Sequence, residues 1–374
     1  MNNIYFNYNP ILSHNAEINI ITALRGVGKS YGAKVKVFNA YFKEKRTFIW
    51  VRRTEEQLKM TKATFLTDLQ AKDNEKYKNF YIVGNFCYYR ETEKRIIKHK
   101  DGTEEEIEET KNIDLVGTFI SLSVGGNFRG FATDNDKIKY LIFDEFIEED
   151  EQKYLKNEII KFSSIMISAL RLADAKIIML SNALSSANPY FKLFEVKITD
   201  KRIISYNIRI KVKYEENNKI VEEYVKLRIA FQYGADNAQY KKKSINSVSG
   251  KIALLCDYAE SAINDKFIFD DTTHIIDPKK MLKYDFKYNI YYDKIYLGVY
   301  QTKNNITYIY KPIQKGINYI VNDIQEASKN ENNILINSKH IILKILYSQY
   351  SNGFVAFSDI HTQQTFINML NDNL

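Results

Sequence analysis

Apolar residues in the first 200 positions form short continuous runs, and segments with helical spacing separate these runs. Two of the segments, "KSYGAKVKVFNAYFKE" and "EIIKFSSIMISALRLA", repeat apolar residues at the period of an α-helix. A continuous apolar run is typical of a strand that is buried on both faces. The alternation predicts an α/β domain with a mostly parallel sheet. Its predicted strands are "INIITAL" (18–24), "RTFIWVRR" (46–53), "YLIFDEF" (140–146) and "AKIIMLSNA" (175–183).

The pattern changes near residue 200, where "RIISYNIRIKVKYEENNKIVEEYVKLRIAF" is hairpin-like and highly charged. Further on, "YNIYYDKIYLGVYQTKNNITYIYK" predicts an antiparallel hairpin around "TKNN", and "SKHIILKILYSQYSNGFVAF" predicts a helix and a strand. The segment "KHKDGTEEEIEETKN" (98–112) predicts a hairpin insertion around Asp101-Gly102. We therefore divide the chain into an α/β domain (1–200), a linker or small lid (201–250) and a separate α+β domain (251–374).

Composition and charge narrow the class of protein. Apolar residues make up 45% of the chain, which favours a folded globular protein over a disordered one. The cysteines, Cys87 and Cys256, have no metal-ligand spacing, which favours a reducing compartment without disulfides. No signal-like N-terminus and no apolar run near the roughly 20 residues of a membrane helix is seen, so we expect a soluble, intracellular protein.

The positive charge is concentrated in the C-terminal half of the chain. Residues 201–374 contain 24 Lys/Arg and 18 Asp/Glu, a net charge of +6 out of +8. Lysines alternate with tyrosines there, as in "QYKKKSINSVSGK", and this mixture suits a polyanion such as nucleic acid. A solvated lysine face is the alternative, and charge alone favours it.

A phosphate-binding loop is predicted between the first strand and the first long helix, at "ALRGVGKS" (23–30). Backbone N–H groups of such a loop and the helix N-terminus attract phosphate. Lys29 is expected to reach the β- and γ-phosphates of ATP, and Ser30 to place its hydroxyl on Mg²⁺. Alanine replaces the first glycine, which is tolerable unless this position needs a positive φ. The predicted nucleotide-binding residues of the loop are Ala23, Arg25, Gly26, Val27, Gly28, Lys29 and Ser30.

Two further strands end in polar residues suited to nucleotide chemistry. The run "KYLIFDEF" delivers Asp144 and Glu145 to the carboxyl edge of the sheet, where ligands bind in open α/β folds. Asp144 is expected to hold Mg²⁺, and Glu145 to act as general base on the attacking water. "IIMLSNA" ends in Ser181-Asn182, which could sense the γ-phosphate. This last motif is weak when taken alone.

Together these motifs resemble the DNA-packaging ATPase (encapsidation protein) family of phi29-type bacteriophages. The resemblance rests on "YNP" (8–10), "ALRGVGKS" (23–30), "FIWVRR" (48–53), "LIFDEF" (141–146) and "LSNALSSANPYF" (180–191). It implies a RecA-like P-loop ATPase domain of the additional-strand, catalytic-glutamate (ASCE) class, a small linker and a C-terminal RNase H-like domain that has lost nuclease chemistry. The implied function is ATP-driven pumping of double-stranded DNA into a procapsid.

The resemblance also implies residue roles and partners. Arg171 falls, within one residue, where the family has a trans-acting arginine finger, and Arg129 falls at a second trans-acting basic position. The implied ligands are ATP and Mg²⁺. The implied partners are double-stranded DNA, the portal or connector of the procapsid, further copies of the chain in a ring (a pentamer, by resemblance) and, as a further candidate, a structural packaging RNA. No membrane is implied, and the expected location is the host cytoplasm, with transient attachment to the procapsid.

Two other functions remain as alternatives to a packaging motor. One is a large terminase with an active nuclease, or another DNA translocase or helicase. The other is a non-enzymatic nucleic-acid-binding subunit, against which the intact Lys29, Ser30, Asp144 and Glu145 weigh. A two-metal nuclease needs several converging carboxylates. In large terminases the first of these carboxylates follows the opening strand of the C-terminal domain. At that place "IYLGVYQTK" has Tyr300-Gln301, so we expect no DNA cleavage.

Overall fold

The structure divides into two compact units. Unit 1 comprises Met1–Leu184 and Leu193–Phe267, and unit 2 comprises Ser185–Lys192 and Ile268–Leu374. The division at residues 200 and 250 stays a prediction. The structure, a computed structural model, describes residues 6–23, 25–98, 104–127, 135–147, 154–171, 173–182, 188–196, 201–216, 219–234, 242, 246–248, 251, 274–278, 284–302, 305–314 and 316–373.

Unit 1 is built on one mixed sheet, with nine strands among its described residues. The strands are β1 Ile18–Thr22, β2 Thr47–Arg52, β3 Phe80–Val83, β4 Phe86–Lys98, β5 Glu104–Ser121, β6 Ile138–Asp144, β7 Lys176–Ser181, β8 Ile203–Glu216 and β9 Lys219–Tyr233. Their order is β3-β4-β5-β2-β6-β7-β1-β9-β8, and the six neighbours from β5 to β9 run parallel. This confirms the predicted α/β class with a mostly parallel sheet.

The central strands are continuous apolar runs in the sequence because nearly all of their residues are buried. All five residues of β1 are buried, and so are the last five of β2 and of β7. Helices cover the sheet, and Phe38 on the longest of them packs edge-on against Phe80, 4.6 Å between ring centroids. The helices of unit 1 that the structure describes are α1 Asn9–Leu12, α2 Lys29–Glu44, α3 Glu55–Thr64, α4 Thr67–Lys72, α5 Asn74–Tyr77 and α6 Glu158–Leu170.

Two long hairpins flank the parallel strands. The antiparallel pair β4–β5 agrees with the predicted insertion, although its turn at Asp101-Gly102 lies outside the described residues. The pair β8–β9 lies within the segment predicted as a linker or lid (201–250). Its strand β9 pairs in parallel with β1 and so extends the sheet. Its buried Ile229, Ala230 and Phe231 supply the contact with the core.

Unit 2 contains a second mixed sheet, with six strands in its described part. The strands are β10 Tyr284–Tyr292, β11 Ile295–Thr302, β12 Thr307–Tyr310, β13 Asn318–Val321, β14 Asn333–Ile336 and β15 Val355–Phe357. The order is β14-β13-β10-β11-β12-β15. The strands β10, β11 and β12 are antiparallel, and β13 and β15 join the sheet in parallel. Its described helices are α7 Pro189–Leu193, α8 Ile324–Ala327, α9 Ile341–Ser351 and α10 Ile360–Asn373.

In the second sheet β11 and β12 are antiparallel neighbours, which confirms the hairpin predicted around "TKNN". The β-rich run before "TKNN" forms two strands. That run forms β10 and β11, which meet at Asp293 and Lys294, both with positive φ (47° and 64°). Consecutive positive φ values suit a tight hairpin turn. Tyr300 and Gln301 therefore lie on β11, which is the second strand of this sheet in chain order.

Among the described residues, no three Asp, Glu, His or Cys are grouped to hold a metal ion. None of the described helices is long and apolar enough to span a membrane.

Candidate active site

The loop between β1 and α2 has the backbone geometry of a phosphate cradle. Gly26 (φ 82°) and Gly28 (φ 81°) both adopt the left-handed region, which favours glycine. Gly28 caps the N-terminus of α2, and Val27 between the glycines is buried. Ala23 is fully buried and is not among the described residues with positive φ. Alanine is therefore tolerated at this position, as the sequence predicted.

Four predicted site residues meet at the edge of the sheet where the parallel strands end. The Lys29 ammonium donates to the Ala23 carbonyl oxygen at 2.8 Å and to Asn182 Oδ1 at 3.1 Å. Ser30 Oγ donates to Asp144 Oδ1 at 2.9 Å. The ends of β1, β6 and β7 thus converge on the first turn of α2. Ser181, the other predicted sensor, instead accepts a hydrogen bond from the backbone N–H of Ile147 at 3.3 Å.

The two carboxylates have different surroundings. Asp144, the last residue of β6, is buried, and this burial raises its pKa while the Arg52 guanidinium lowers it. Glu145 has a positive φ of 60°, and its backbone N–H donates to the Leu180 carbonyl at 2.7 Å. The Glu145 side chain is 47% exposed. The buried carboxylate suits ion binding, and the exposed one can reach a water molecule.

Arg52, which the sequence analysis missed, links both carboxylates. It is the last residue of β2, the strand next to β6. Its Nη2 donates to Glu145 Oε2 at 2.6 Å, and its Nη1 lies 3.3 Å from Asp144 Oδ2. The available signal was the basic pair at the end of "FIWVRR", since parallel strand ends share one edge of the sheet.

Arg53 is almost completely buried and supports the backbone that follows β6. Its Nε donates to both oxygens of Glu158 at 3.1 Å. Its two Nη atoms donate to the carbonyl oxygens of Glu145 (3.1 Å) and Phe146 (2.6 Å). Arg53 therefore positions the backbone of the candidate general base through a buried ion pair.

The N-terminal segment braces the phosphate loop. The Tyr8 hydroxyl donates to the Lys29 carbonyl at 2.6 Å, and the Phe6 N–H donates to the Val27 carbonyl at 2.9 Å. A Cβ atom on Gly32 would lie only 2.9 Å from the Tyr8 ring, so glycine permits this close packing. Burial, and then the charge of Asp144, raise the pKa of Tyr8. The "YNP" motif thus includes a residue that supports the site.

Of the predicted arginines that the structure describes, Arg25 lies in the phosphate loop and Arg171 lies away from the site. Arg171 is exposed at the C-terminus of α6, five residues before β7, on the side where that strand begins. Lys29, Asp144 and Asn182 lie at the opposite edge, where the strands end. Arg25 is exposed within the loop, and Arg129 lies outside the described residues.

The donors present fit a nucleotide with a divalent cation. Lys29 and the N-terminal amides of α2 can bind phosphate oxygens. Ser30 Oγ and Asp144 Oδ1 are neighbouring oxygen donors, the type that Mg²⁺ prefers. Glu145 is an exposed carboxylate beside them that can accept a proton. The arrangement is therefore suited to hydrolysis of a phosphoanhydride.

Known proteins resemble this chain over nearly its whole length. The chain is similar to the DNA packaging protein of Bacillus phage phi29, with 27% identity over 372 residues that cover 95% of this chain and 94% of the relative. The relative from Bacillus phage PZA is 26% identical, with the same coverage. The fold is similar to a chain of the "bacteriophage Phi-29 viral genome packaging motor assembly", with a TM-score of 0.59, 24% identity and coverage of 98% of this chain and 99% of that one.

A family model described as "Podovirus DNA encapsidation protein (Gp16)" matches residues 1–93 and 109–371. The match covers nearly the whole chain and omits only the middle of the β4–β5 hairpin and the last residues. It confirms the resemblance drawn from the sequence motifs. The chain belongs to the Podovirus DNA encapsidation protein (Gp16) family.

Proposed function

We propose that this protein is an ATP-driven motor that packages double-stranded viral DNA into a procapsid. The observation that carries the ATPase part is the convergence of Lys29, Ser30, Asp144 and Glu145 at one sheet edge. The packaging part is supported by membership of an encapsidation family and by curated relatives that are DNA packaging proteins.

ATP binding would replace contacts that Lys29 now makes within the protein. Its ammonium, held by the Ala23 carbonyl and Asn182, would turn to the β- and γ-phosphates. Asn182 would then be free to respond to the γ-phosphate. Mg²⁺, when bound, would neutralise phosphate charge, and Ser30 with Asp144 are the residues that would hold it.

Hydrolysis requires Glu145 to leave Arg52. In the structure Arg52 holds Glu145 by an ion pair of 2.6 Å, so the carboxylate oxygen Oε2 is engaged by the guanidinium and is not turned to a water molecule. Once released, Glu145 accepts a proton from water while the water oxygen bonds to the γ-phosphorus. The bond from that phosphorus to the β–γ bridging oxygen breaks, which yields ADP and inorganic phosphate. Glu145 is the catalytic base in this scheme, and Arg53 is a positioning residue.

The remaining roles depend on other molecules. Arg171 lies where β7 begins, at the sheet edge opposite its own site, and this position supports action on the nucleotide of a neighbouring copy, where a cation would offset charge on the γ-phosphate. A homomeric ring, a pentamer by resemblance, would allow such contacts. Double-stranded DNA, the procapsid portal and a structural packaging RNA are the proposed partners, and the net charge of +6 in residues 201–374 supports polyanion binding.

ATP hydrolysis by the purified protein, with and without double-stranded DNA and procapsids, tests the proposal. Lys29→Ala should lose ATP binding, because the lysine is the main cation on the phosphates. Glu145→Gln should bind a fluorescent ATP analogue like wild type and lose turnover, because only the proton acceptor is removed. Lys59→Ala, an exposed lysine on α3, is the control and should behave as wild type. Wild-type turnover by Glu145→Gln would contradict the assignment.

A further inference from the structure

Two hairpins of unit 1 extend well beyond the sheet that anchors them. Pairing of β5 with β2 begins at Gly117, and pairing of β9 with β1 begins at Ile229. The preceding residues of β5 and β9, and their antiparallel partners, run past the ends of the parallel strands. We name residues 88–98 and 104–116 arm 1, and residues 207–216 and 219–228 arm 2.

Both arms project from the same edge of the sheet, on opposite flanks. The strands β5 and β9 are parallel members of one sheet, so their N-terminal parts leave it at the edge where the parallel strands begin. That edge lies opposite the phosphate loop. Four strands, β2, β6, β7 and β1, separate β5 from β9. At a strand spacing of about 4.8 Å, the roots of the arms lie roughly 24 Å apart.

The arms carry opposite net charge. The sequence of arm 1 contains five Lys/Arg and eight Asp/Glu, a net charge of −3. The sequence of arm 2 contains six Lys/Arg and four Asp/Glu, a net charge of +2. One arm of a copy is therefore complementary in sign to the other arm of a second copy.

Each arm also places like charges directly opposite each other across its two strands. Glu93 pairs with Glu109 in arm 1, and Arg209 pairs with Lys226 in arm 2. Such pairs are destabilising unless an opposite charge approaches them. Glu109 contacts Arg95 at 3.2 Å, whereas neither Arg209 nor Lys226 forms an ion pair with any residue that the structure describes. The basic pair of arm 2 thus lacks a compensating carboxylate within its own chain's described part.

Arm 2 exposes more apolar surface than a solvated hairpin requires. Its exposed large apolar side chains are Ile210, Tyr214, Ile220, Tyr224 and Val225. A two-stranded hairpin is marginally stable in water unless another element covers one face. Apolar surface together with uncompensated positive charge is typical of a contact surface.

The base of arm 1 contains a cavity and is held in place by contacts with α2 and the residue that follows it. A cavity of about 480 Å³ lies there, and exposed Ile113 is one of its lining residues. Tyr41 donates to Asp114 Oδ2 at 2.5 Å, and Lys45 lies 3.2 Å from the same oxygen. These contacts from the end of α2 anchor the acidic arm against the body of unit 1.

We propose that arm 2 of one copy docks against arm 1 of a second copy. The arms lie on opposite flanks, so the contact is head-to-tail: every copy uses each arm once, and repetition gives a closed ring or an open filament. The family model omits residues 94–98 and 104–108 of arm 1, so the proposed contact surface includes a part of the chain that the family match does not cover. The proposal goes beyond the ATPase function, because neither nucleotide nor DNA takes part in the contact.

Charge reversal tests the pairing. Glu93→Lys with Glu109→Lys reverses arm 1, and Arg209→Glu with Lys226→Glu reverses arm 2; all four side chains are exposed. Sedimentation velocity without nucleotide should show self-association of the wild type, at least about tenfold weaker in either double variant, because like charges then meet across the contact. An equimolar mixture of the two double variants should recover association, since each reversed arm then finds a reversed partner. The fourfold variant should recover as well.

The control is Lys59→Glu with Lys344→Glu, which reverses two exposed lysines on α3 and α9 and should associate like wild type. Thermal unfolding of every variant checks that it is folded. A wild type that stays monomeric at all concentrations, or folded double variants whose mixture does not associate, would overturn the proposal. ATP turnover is measured separately on the same samples. Intact association without hydrolysis would reject the ATPase function alone. Hydrolysis without association would reject the arm contact, and with it the action of Arg171 on a neighbouring copy, but not the ATPase function.

Discussion

Replacement of Arg53 by methionine should destabilise unit 1 strongly, because it leaves a buried carboxylate without its cation. The Arg53 and Glu158 side chains are only 1% and 2% exposed. Glu158 would keep the Leu155 N–H, which donates to its Oε2 at 2.7 Å, but this neutral donor does not replace the lost cation. The carbonyl oxygens of Glu145 and Phe146 would lose their guanidinium donors. Methionine fills much of the volume, so the change tests charge and hydrogen bonding more than packing.

The expected magnitude follows from this burial. Removing one partner of a buried ion pair costs about 3–5 kcal/mol in the free energy of unfolding. For a domain of this size each kcal/mol lowers the melting temperature by about 2–4 °C, so we expect a decrease of roughly 6–20 °C. ATP turnover should also fall, because the backbone of Glu145 loses its support.

The fluorescence of Trp50 gives a direct assay. It is the only tryptophan of the chain, it is fully buried in unit 1, and it lies on β2, three residues before Arg53. Its emission during urea or thermal unfolding therefore reports on unit 1. The matched control is Arg95→Met, which breaks an ion pair with Glu109 whose side chains are 66% and 49% exposed. This exposed pair should contribute less than about 1 kcal/mol.

A double variant separates charge from structure. Arg53→Met with Glu158→Leu removes both buried charges and should recover part of the lost stability. If Arg53→Met lowered the melting temperature no more than Arg95→Met does, the assignment of a buried, essential ion pair would be refuted.

Three other outcomes are expected. Arg52→Met should move the acid limb of the ATPase pH profile to higher pH, because burial already raises the pKa of Asp144 and Arg52 opposes that rise; an unchanged limb would contradict the contact. Arg171→Ala and Glu145→Gln should each be inactive, and their mixture should regain ATP turnover if Arg171 acts on a neighbouring copy; mixed assemblies without activity would count against it. DNA affinity should fall with salt, with a slope of log K against log salt near −0.9 per phosphate neutralised, and a flat response would favour a merely solvated lysine face.

The phosphate loop could be predicted from sequence because its conformation is local. Gly26 and Gly28 take positive φ, and the apolar run of β1 before them and the helical spacing after them fix the strand–loop–helix context. Asp144 and Asn182 could be placed as well, since each follows a fully buried run and the ends of parallel strands share an edge. Proximity of these residues to Lys29 therefore follows from strand type alone.

The roles of the two adjacent arginines were decided by tertiary structure. Arg52 and Arg53 are neighbours in sequence, yet one contacts the exposed Glu145 and the other the buried Glu158. Successive side chains at a strand end point to opposite sides, so which arginine meets which carboxylate depends on residues 93 and 105 positions away. No local pattern distinguishes a surface arginine from one paired at that distance.

The local sequence pattern also could not predict where the β8–β9 hairpin lies in the fold. Its charged, exposed outer part dominates the composition and favours a linker, whereas three buried residues, Ile229, Ala230 and Phe231, determine that β9 pairs with β1. A short buried segment at the end of a solvated hairpin has the same sequence signature whether it joins a sheet or stands alone. Only the open edge of β1, formed by residues about 210 positions earlier in the chain, makes the difference.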